Sequence, residues 1–269
     1  EDKTVILLTD VVFNEDTTLD LEGVTIKGML VNKANMTVYA TNGGTIDGGD
    51  QAAIDNYGTL TIEGGTFTGA VSAIYNNELE SGKATVTING GEFTAPGDYC
   101  ATIENRYGIL TVNGGTITAT NNAGYAIVDT CGVTTITDGQ IASAQGTAVE
   151  TYQGEITISG GEFTGKVIVE NQAGKVEVKG GKLVSNTPEY YYGLTNANGG
   201  TTTLYGGTFE RDYATAEGTS VKIAEGYKSI ANGDGTYTVN LETYVTGAKV
   251  CILPFKSKDI KNVSITSSI

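Results

Sequence analysis

The sequence predicts an all-β protein, a right-handed, single-stranded parallel β-helix of about nine or ten turns with three short strands per turn. A glycine, usually doubled, followed by a polar and a large apolar residue recurs eight times at steps of 20 to 26 residues. Alternating apolar and polar residues precede these glycines, and 38 of 269 residues are glycine while only 3 are proline. A period of this length is typical of a solenoid whose single repeats cannot bury their apolar side chains alone. The repeats are Gly43–Ile46, Gly64–Phe67, Gly90–Phe93, Gly114–Ile117, Asp138–Ile141, Gly160–Phe163, Gly180–Leu183 and Gly206–Phe209.

Each repeat contains three candidate strands, separated by corners where glycine supplies positive φ or close backbone approach. The first strand carries an aliphatic residue two positions before an asparagine. The second alternates at period two, which is the strand signature, and the third follows the glycines, as in Thr66–Thr68. First strands are Ile54–Asn56, Ile74–Asn76, Ile103–Asn105, Val169–Asn171 and Leu194–Asn196. Second strands include Thr59–Ile62, Thr85–Ile88, Ile109–Val112, Glu155–Ile158 and Lys175–Val178.

Stacked turns place equivalent residues above one another, ~4.8 Å apart. Two interior columns of apolar side chains follow from this spacing. They are Ile62, Ile88, Val112, Ile136, Ile158, Val178 and Leu204, and Phe67, Phe93, Ile117, Ile141, Phe163, Leu183 and Phe209. The asparagines of the first strands also point inward, and we interpret them as stacked amides bonded to one another and to turn backbone. A ligand site at these amides is the alternative interpretation.

The unbroken repeat predicts one elongated domain over residues 1–240. Residues 241–269 leave the repeat, and they are either a cap over the last turn or the start of a following domain. The three cysteines, Cys100, Cys131 and Cys251, have no metal-binding spacing, and the first two occupy different places on adjacent turns. We therefore expect no disulfide framework.

Net charge is −15 with no histidine, which opposes binding to nucleic acid or to anionic lipid. The sequence has no transmembrane run, so we expect no membrane insertion of this chain. The absence of histidine also excludes a Ser-His-Asp triad and any histidine general base.

An acidic column is predicted on the outer surface, between the buried aliphatic residue and the asparagine of each first strand. Its members are Asp55, Glu104, Glu150 and Glu170. Glu150 and Glu170 belong to successive turns, where like charges invite a cation such as Ca²⁺ or raise one pKa. Carboxylate pairs at this spacing also serve glycosidases, and a solvated acidic face is the third possibility.

A threonine column is predicted on the second strands, where flat ranks of threonine are capable of binding ice. It comprises Thr61, Thr87, Thr111, Thr135, Thr157 and Thr203, interrupted by Glu177. Charged residues in the flanking rank disrupt a flat plane, and threonine also simply suits strands.

Tyrosines are the candidate ligand-binding residues, because exposed tyrosine stacks on sugars or anchors protein contacts at low entropic cost. Tyr57, Tyr107 and Tyr152 follow the asparagine column at the corner. Tyr99, Tyr125, Tyr191 and Tyr192 lie in or beside variable segments that connect the third strand of one turn to the first of the next. Such insertions project along one edge of a solenoid, which is a common place for recognition.

The repeat from Ala53 to Phe67 resembles the β-helix domains of pectate-lyase-like architecture. More narrowly, it resembles those of large surface and adhesin-like proteins of gut-type Gram-positive bacteria and their phages. The segments Thr4–Ile26 and Ile223–Val239 are similar to the opening and closing segments of such domains. The resemblance implies an extracellular, cell-surface or secreted location. It implies no activity, since the same architecture carries enzymes and binding modules.

The enzymes of that architecture supply a further comparison. Gly44–Gly49 resembles an early structural turn of polygalacturonases, but the catalytic aspartate pair and histidine of those enzymes have no counterpart. Pectate lyases need a basic residue beside calcium-holding carboxylates, and neither Arg106 nor Arg211 has a clear acidic cradle in sequence. We therefore expect a non-enzymatic module that binds a glycan or a host protein. A carboxylate-based polysaccharide depolymerase is the alternative, and an ice-binding protein is the third.

Overall fold

The computed structural model describes residues 3–79, 82–120, 123–187, 193–216 and 220–242. These residues contain no helix and form a parallel β-solenoid with three strands per turn. The solenoid has about eight turns rather than nine or ten. After its last strand in the first sheet, the described chain does not enter that sheet again. It closes instead with an antiparallel hairpin.

Three sheets run along the rod, and we number them in the order in which each full turn visits them. Sheet 1 contains Val11–Phe13, Leu30–Asn32, Ile54–Asn56, Ile74–Asn76, Ala101–Asn105, Tyr125–Asp129, Thr147–Thr151, Val167–Asn171 and Leu194–Asn196. Sheet 2 contains Thr17–Asp20, Asn35–Tyr39, Thr59–Ile62, Thr85–Ile88, Ile109–Val112, Val133–Ile136, Glu155–Ile158, Lys175–Val178, Thr201–Leu204 and Lys222–Ile223.

Sheet 3 combines ten parallel strands with the closing hairpin. Its parallel strands are Lys3–Ile6, Val24–Lys27, Thr45–Asp47, Thr66–Thr68, Glu92–Ala95, Thr116–Ala119, Gln140–Ser143, Glu162–Gly165, Lys182–Ser185 and Thr208–Phe209. The hairpin strands Tyr227–Ala231 and Tyr237–Leu241 pair antiparallel, and the second of them joins Thr208–Phe209. A separate antiparallel ribbon joins Glu78–Leu79 to Gly82–Lys83.

Both predicted apolar columns are confirmed. Every member of the two columns is at most 1% exposed, and strand register places each member opposite its counterpart on the next turn. Phe67 and Phe93 stack with ring centroids 5.0 Å apart and ring planes at 9°. Burial of such side chains is the main favourable contribution to folding, since each buried phenylalanine removes roughly 150–250 Å² of surface from water.

The buried asparagines form the predicted amide ladder over four turns. Asn32 Nδ2 donates to Asn56 Oδ1, Asn56 Nδ2 to Asn76 Oδ1, and Asn76 Nδ2 to Asn105 Oδ1, each at 2.8 Å. Asn56 Nδ2 also donates to the backbone oxygens of Gly58 and Thr85. These amides therefore satisfy corner backbone inside the rod, which is a structural role.

The ladder changes chemistry after Asn105. Asp129 occupies the next rank, is fully buried, and accepts from Asn105 Nδ2 at 2.9 Å, from the Gly132 amide at 2.7 Å and from the Thr134 hydroxyl. Thr151 follows it, and its hydroxyl accepts from the Gly154 amide. The ladder resumes at Asn171, whose Oδ1 accepts from the Gly174 amide at 2.9 Å.

The glycine doublets form the corner between sheets 2 and 3, and their two positions have different requirements. Gly65 has a φ of 109°, and a Cβ built there lies 3.1 Å from Leu21 Cδ1. Gly64 has no atom closer than 4.0 Å to a built Cβ and is not in the left-handed region. The second glycine is therefore the conformationally demanding member of this pair.

The C-terminal end of the rod is closed by side chains as well as by the hairpin. The hydroxyl of Tyr213 accepts from the Leu194 amide at 2.7 Å and donates to Glu210 Oε1 at 2.8 Å, while the Gly193 amide donates to the same oxygen. Tyr213 is 4% exposed and packs edge-on against Phe209. It caps the free edge of sheet 1.

The domain boundary predicted at residue 240 falls within the hairpin strand that ends at Leu241. Residues 243–269, including Cys251, lie outside the described part of the chain, so the proposed cap stays a prediction. Cys100 and Cys131 are free thiols, as the spacing predicted.

Substitution of an asparagine in the buried ladder is predicted to destabilise the protein far more than substitution in an exposed amide chain. Asn56→Ala removes the acceptor of Asn32 Nδ2 and the donor to Asn76 Oδ1 inside the rod, so we expect the free energy of unfolding to fall by about 2 kcal/mol. Asn113 is the matched control, since it belongs to an exposed amide chain with Asn89 and Thr137. Asn113→Ala is expected to cost less than about 0.5 kcal/mol in urea unfolding. Equal losses would refute a stabilising role specific to the buried ladder.

Candidate functional site

The outer face of sheet 1 is the candidate site, because strand register brings acidic side chains and tyrosine together there. The predicted acidic column and a tyrosine occupy one continuous rank. In strand order this rank reads Asp55, Tyr75, Glu104, Val128, Glu150, Glu170 and Thr195. From Asp55 to Glu170 the rank spans five strand steps, or about 24 Å. We call this surface, together with the corner residues beside it, the tyrosine–carboxylate face.

The corner rank beside the acidic column holds Tyr57 and Tyr152, as predicted, but Tyr107 does not belong to it. Backbone amides of this rank donate to the ladder residues of the preceding turn. The rank reads Tyr57, Asn77, Arg106, Thr130, Tyr152 and Gln172. Tyr107 is one residue further along and aligns with Cys131, because it follows the ladder residue by two positions instead of one. Tyr107 therefore also follows the asparagine column at the corner, in the rank next to that of Tyr57 and Tyr152.

The first cluster on the face centres on Tyr75. The Arg106 guanidinium lies over its ring at 5.1 Å from the centroid, and Arg106 Nε donates to Glu104 Oε1 at 3.2 Å. Burial and the neighbouring Glu104 carboxylate raise the pKa of Tyr75 to about 12. The phenol therefore stays neutral throughout the physiological range, where it hydrogen-bonds the Glu104 carboxylate.

Asp55 lies beside Tyr75 and is half-buried. Burial raises the pKa of its carboxyl, and hydrogen bonds from the Asn77 amide and the Tyr57 hydroxyl oppose that rise. Lys33 lies over the Tyr57 ring with its Nζ 6.0 Å from the centroid. Two aromatic rings, two carboxylates and two cations thus form one network over the first turns of the face.

The second cluster is built on the predicted pair Glu150 and Glu170, which are direct partners in parallel register. Gln172 Nε2 donates to both carboxylates, at 3.3 Å to Glu150 Oε1 and 2.9 Å to Glu170 Oε1. The Thr147 hydroxyl donates to Glu170 Oε2 at 3.2 Å. Neutral donors thus connect the two acids, without a basic side chain between them in the described contacts.

Glu150 is the unusual member of this pair. It is only 3% exposed, and its Oε2 has no hydrogen-bond partner among the described residues. Burial, followed by repulsion from Glu170, raises the pKa of Glu150 to about 7, and hydrogen bonding with Gln172 and Tyr152 partly opposes that rise. A carboxyl with this pKa titrates near neutrality, so its protonated form is present there and is able to act as an acid.

Three of the predicted tyrosines surround this second cluster. Burial and the charges of Glu150 and Glu170 raise the pKa of Tyr125 to about 12, and burial with Glu150 also raises that of Tyr152. Tyr99 is close enough to Tyr125 to interact electrostatically, and it is 75% exposed on a connecting loop with a φ of 58°. The structure therefore brings Tyr99, Tyr125 and Tyr152 together with Glu150 and Glu170.

Some sequence-based assignments fall elsewhere. Tyr191 and Tyr192 lie outside the described residues. Tyr213 is buried at the C-terminal end and is not a surface residue. Within the described residues no group of three or more acidic, histidine or cysteine side chains is placed to hold a metal ion. A calcium ion at the predicted site would have Glu150 and Glu170 as its carboxylate ligands, and that assignment stays a prediction.

The threonine column of sheet 2 is in register, as the repeat required. Glu177 interrupts it and binds Lys175 and Lys179 at 2.7 and 2.8 Å. These three charged side chains lie on the outer face of the threonine column.

Several side chains of the candidate site were not found by sequence reasoning. Tyr75 is absent from the predicted acidic column, although it is the centre of the first cluster. Arg106 and Gln172 were not recognised as contacts of that column. Their signal was present, because both follow a ladder residue by one position and so share the corner rank.

Comparisons with protein-family models, with curated proteins and with solved structures found no match for this chain. The described residues include no helix of the length and apolarity needed to cross a membrane.

Glu150 is predicted to make stability depend on pH. Its pKa rises from an ordinary 4.5 to about 7 in the folded state, so the folded protein binds the proton more tightly than the unfolded chain. Its stabilising contribution is therefore complete below about pH 4.5 and is lost as pH rises to about 7. Glu150→Gln should remove this loss and raise the melting temperature at pH 8 relative to wild type, with little gain at pH 4.5.

The control for this experiment is Glu92→Gln, which makes the same change at an exposed position of sheet 3. The difference in melting temperature between Glu92→Gln and wild type should be the same at pH 4.5 and at pH 8. A Glu150→Gln difference that is the same at pH 4.5 and pH 8 would contradict the assignment of Glu150 as the titrating group.

Proposed function

We propose that this chain is a non-enzymatic, glycan-binding β-helix module in which the tyrosine–carboxylate face is the binding surface. The observation that carries the proposal is the continuity of this face, where in-register strands place tyrosine rings beside a row of carboxylates over about 24 Å. Aromatic rings stack on the apolar faces of sugars, and carboxylates accept hydrogen bonds from sugar hydroxyls. A rigid, straight surface is suited to an extended ligand.

The side chains of the face are held in place before any ligand arrives. Arg106 orients Tyr75, Asn77 and Tyr57 orient Asp55, and Gln172 orients Glu170. Such preorganisation lowers the entropy lost on binding. Three of the seven tyrosines chosen from sequence, Tyr57, Tyr125 and Tyr152, lie directly on this face, and the exposed Tyr99 interacts with Tyr125 from a connecting loop.

We also propose an extracellular location, in a larger surface or adhesin-like protein of a Gram-positive bacterium or its phage. The support for this is the resemblance of the Ala53–Phe67 repeat to such domains and the acidic composition, with a net charge of −15. In that setting the module acts as an adhesion or display scaffold. A host protein in place of a glycan is the alternative ligand.

The tyrosine side chains are predicted to be required for binding. The probe is an immobilised panel of neutral, amino-bearing and acidic oligosaccharides, and binding of the full chain is measured by its dissociation constant. Tyr152→Ala and Tyr99→Ala, at positions 45% and 75% exposed, should each weaken binding about fivefold through loss of ring contact. Tyr39→Ala, at a position that is 42% exposed on sheet 2 and off the face, should leave binding unchanged. Equal effects at all three positions would refute the assigned surface.

The second candidate function is a polysaccharide depolymerase, and the pair of Glu150 and Glu170 is the observation that favours it. A carboxyl with a pKa of about 7 next to a second carboxylate is the arrangement in which one acid donates a proton and the other acts as base or nucleophile. The burial of Glu150 at 3% exposure argues against it, because a glycosidic oxygen must reach that carboxyl.

Incubation with polysaccharides decides between the two candidates. The binding module is expected to release no new reducing ends and no unsaturated products over hours. If turnover is seen and Glu150→Gln abolishes it while Glu92→Gln does not, the depolymerase replaces the binding module as the function.

A further inference from the structure

A groove opens on the face beside Asp55 and Tyr75, at the edge where the chain enters sheet 1. It has a volume of about 280 Å³ and is lined by Met29, Gln51, Ala52, Asp55, Val71 and Tyr75. Ligand pockets in proteins have volumes of about 300 Å³ or more. This groove lies at the lower end of that range, so it suits one sugar ring and not a larger group.

The lining has two chemically different sides. Met29, Ala52 and Val71 provide an apolar surface, and Val71 remains 45% exposed on this otherwise polar face. Gln51, Asp55 and the Tyr75 hydroxyl provide a polar side with both donors and acceptors. A pyranose ring presents the same combination, an apolar face and a polar rim.

The charge of the groove is negative. Asp55 lies in its lining, and Asp10 approaches through a hydrogen bond from Gln51 Nε2 to Asp10 Oδ1 at 3.5 Å. The six lining residues include no basic side chain. Arg106 lies on Tyr75 and is bonded to Glu104, so its charge is already shared. A ligand with carboxylates or sulfates is repelled here, and one with an ammonium group is attracted.

We infer that this groove is a subsite for a sugar carrying a free amino group, such as a glucosamine unit of a de-N-acetylated glycan. Its apolar face packs on Val71 and Met29, its ammonium group binds the Asp55 carboxylate, and its hydroxyls bond Gln51 and Tyr75. The inference rests on the proposed glycan-binding function and names the class of glycan.

The remainder of the face fits a polymer of such sugars. Beyond Asp55 the rank offers Glu104 two strand steps away and Glu170 three steps further, so acceptors for ammonium groups recur along the rod. Several weak ion pairs on one chain combine into a stronger interaction. An unbranched lysine side chain also carries ammonium, but it has no ring face to pack on Val71 and Met29 and no hydroxyls to bond Gln51.

The test compares glucosamine oligomers with N-acetylglucosamine oligomers of the same length, by calorimetry on the full chain at pH 6. The amino oligomer should bind about tenfold more tightly, and the advantage should shrink as salt is added. Asp55→Asn should remove most of this advantage. Asp138→Asn, an exposed aspartate on the opposite corner whose change in net charge is the same, should preserve it.

A second variant keeps the test independent of the hydrogen bonds around Asp55. Val71→Lys, at a position that is 45% exposed, places an ammonium group in the groove and should abolish the preference without affecting folding. Equal binding of both oligomers would overturn the amino-sugar inference and leave the glycan-binding function standing. Binding of a lysine oligomer with neither sugar bound would overturn both.

Discussion

Strict vertical register is the constraint on which the rest of this structure depends. Because each strand pairs with its equivalent one turn later, a residue's surroundings are set by the residues one repeat before and after it. Apolar residues at two positions become continuous core columns, and asparagine at a third becomes a hydrogen-bonded ladder that saturates the corners. This arrangement buries the amides with hydrogen-bond partners, as buried polar groups require.

The same register creates the candidate site at an energetic cost. Stacking aligns Glu150 directly with Glu170, and like charges opposite one another in a sheet are destabilising. The protein limits this cost through Gln172, which bonds both acids, and through a pKa that lets Glu150 keep its proton near neutrality. Natural sequences retain such conflicts mainly where a surface has a task, which is why the face attracts a functional interpretation.

The period predicted the sheets, both apolar columns and the acidic column, because those properties depend only on position within a repeat. It failed where one turn departs from the others. Asp129 and Thr151 replace asparagine in the ladder, and the chain closes with a hairpin after about eight turns. The burial of Glu150 was also out of reach, since it depends on the side chains packed around it and not on its place in the repeat.

Because the face is built from stacked strands, its length changes only in whole steps of one turn. Every turn contributes one step of about 4.8 Å and one outward side chain to the rank. Removing or duplicating a whole repeat would thus shorten or lengthen the ligand track by a fixed increment, with interior contacts re-formed across the junction. A lineage carrying this fold is able to adjust the reach of its surface by repeat number alone, leaving the chemistry of each rung intact.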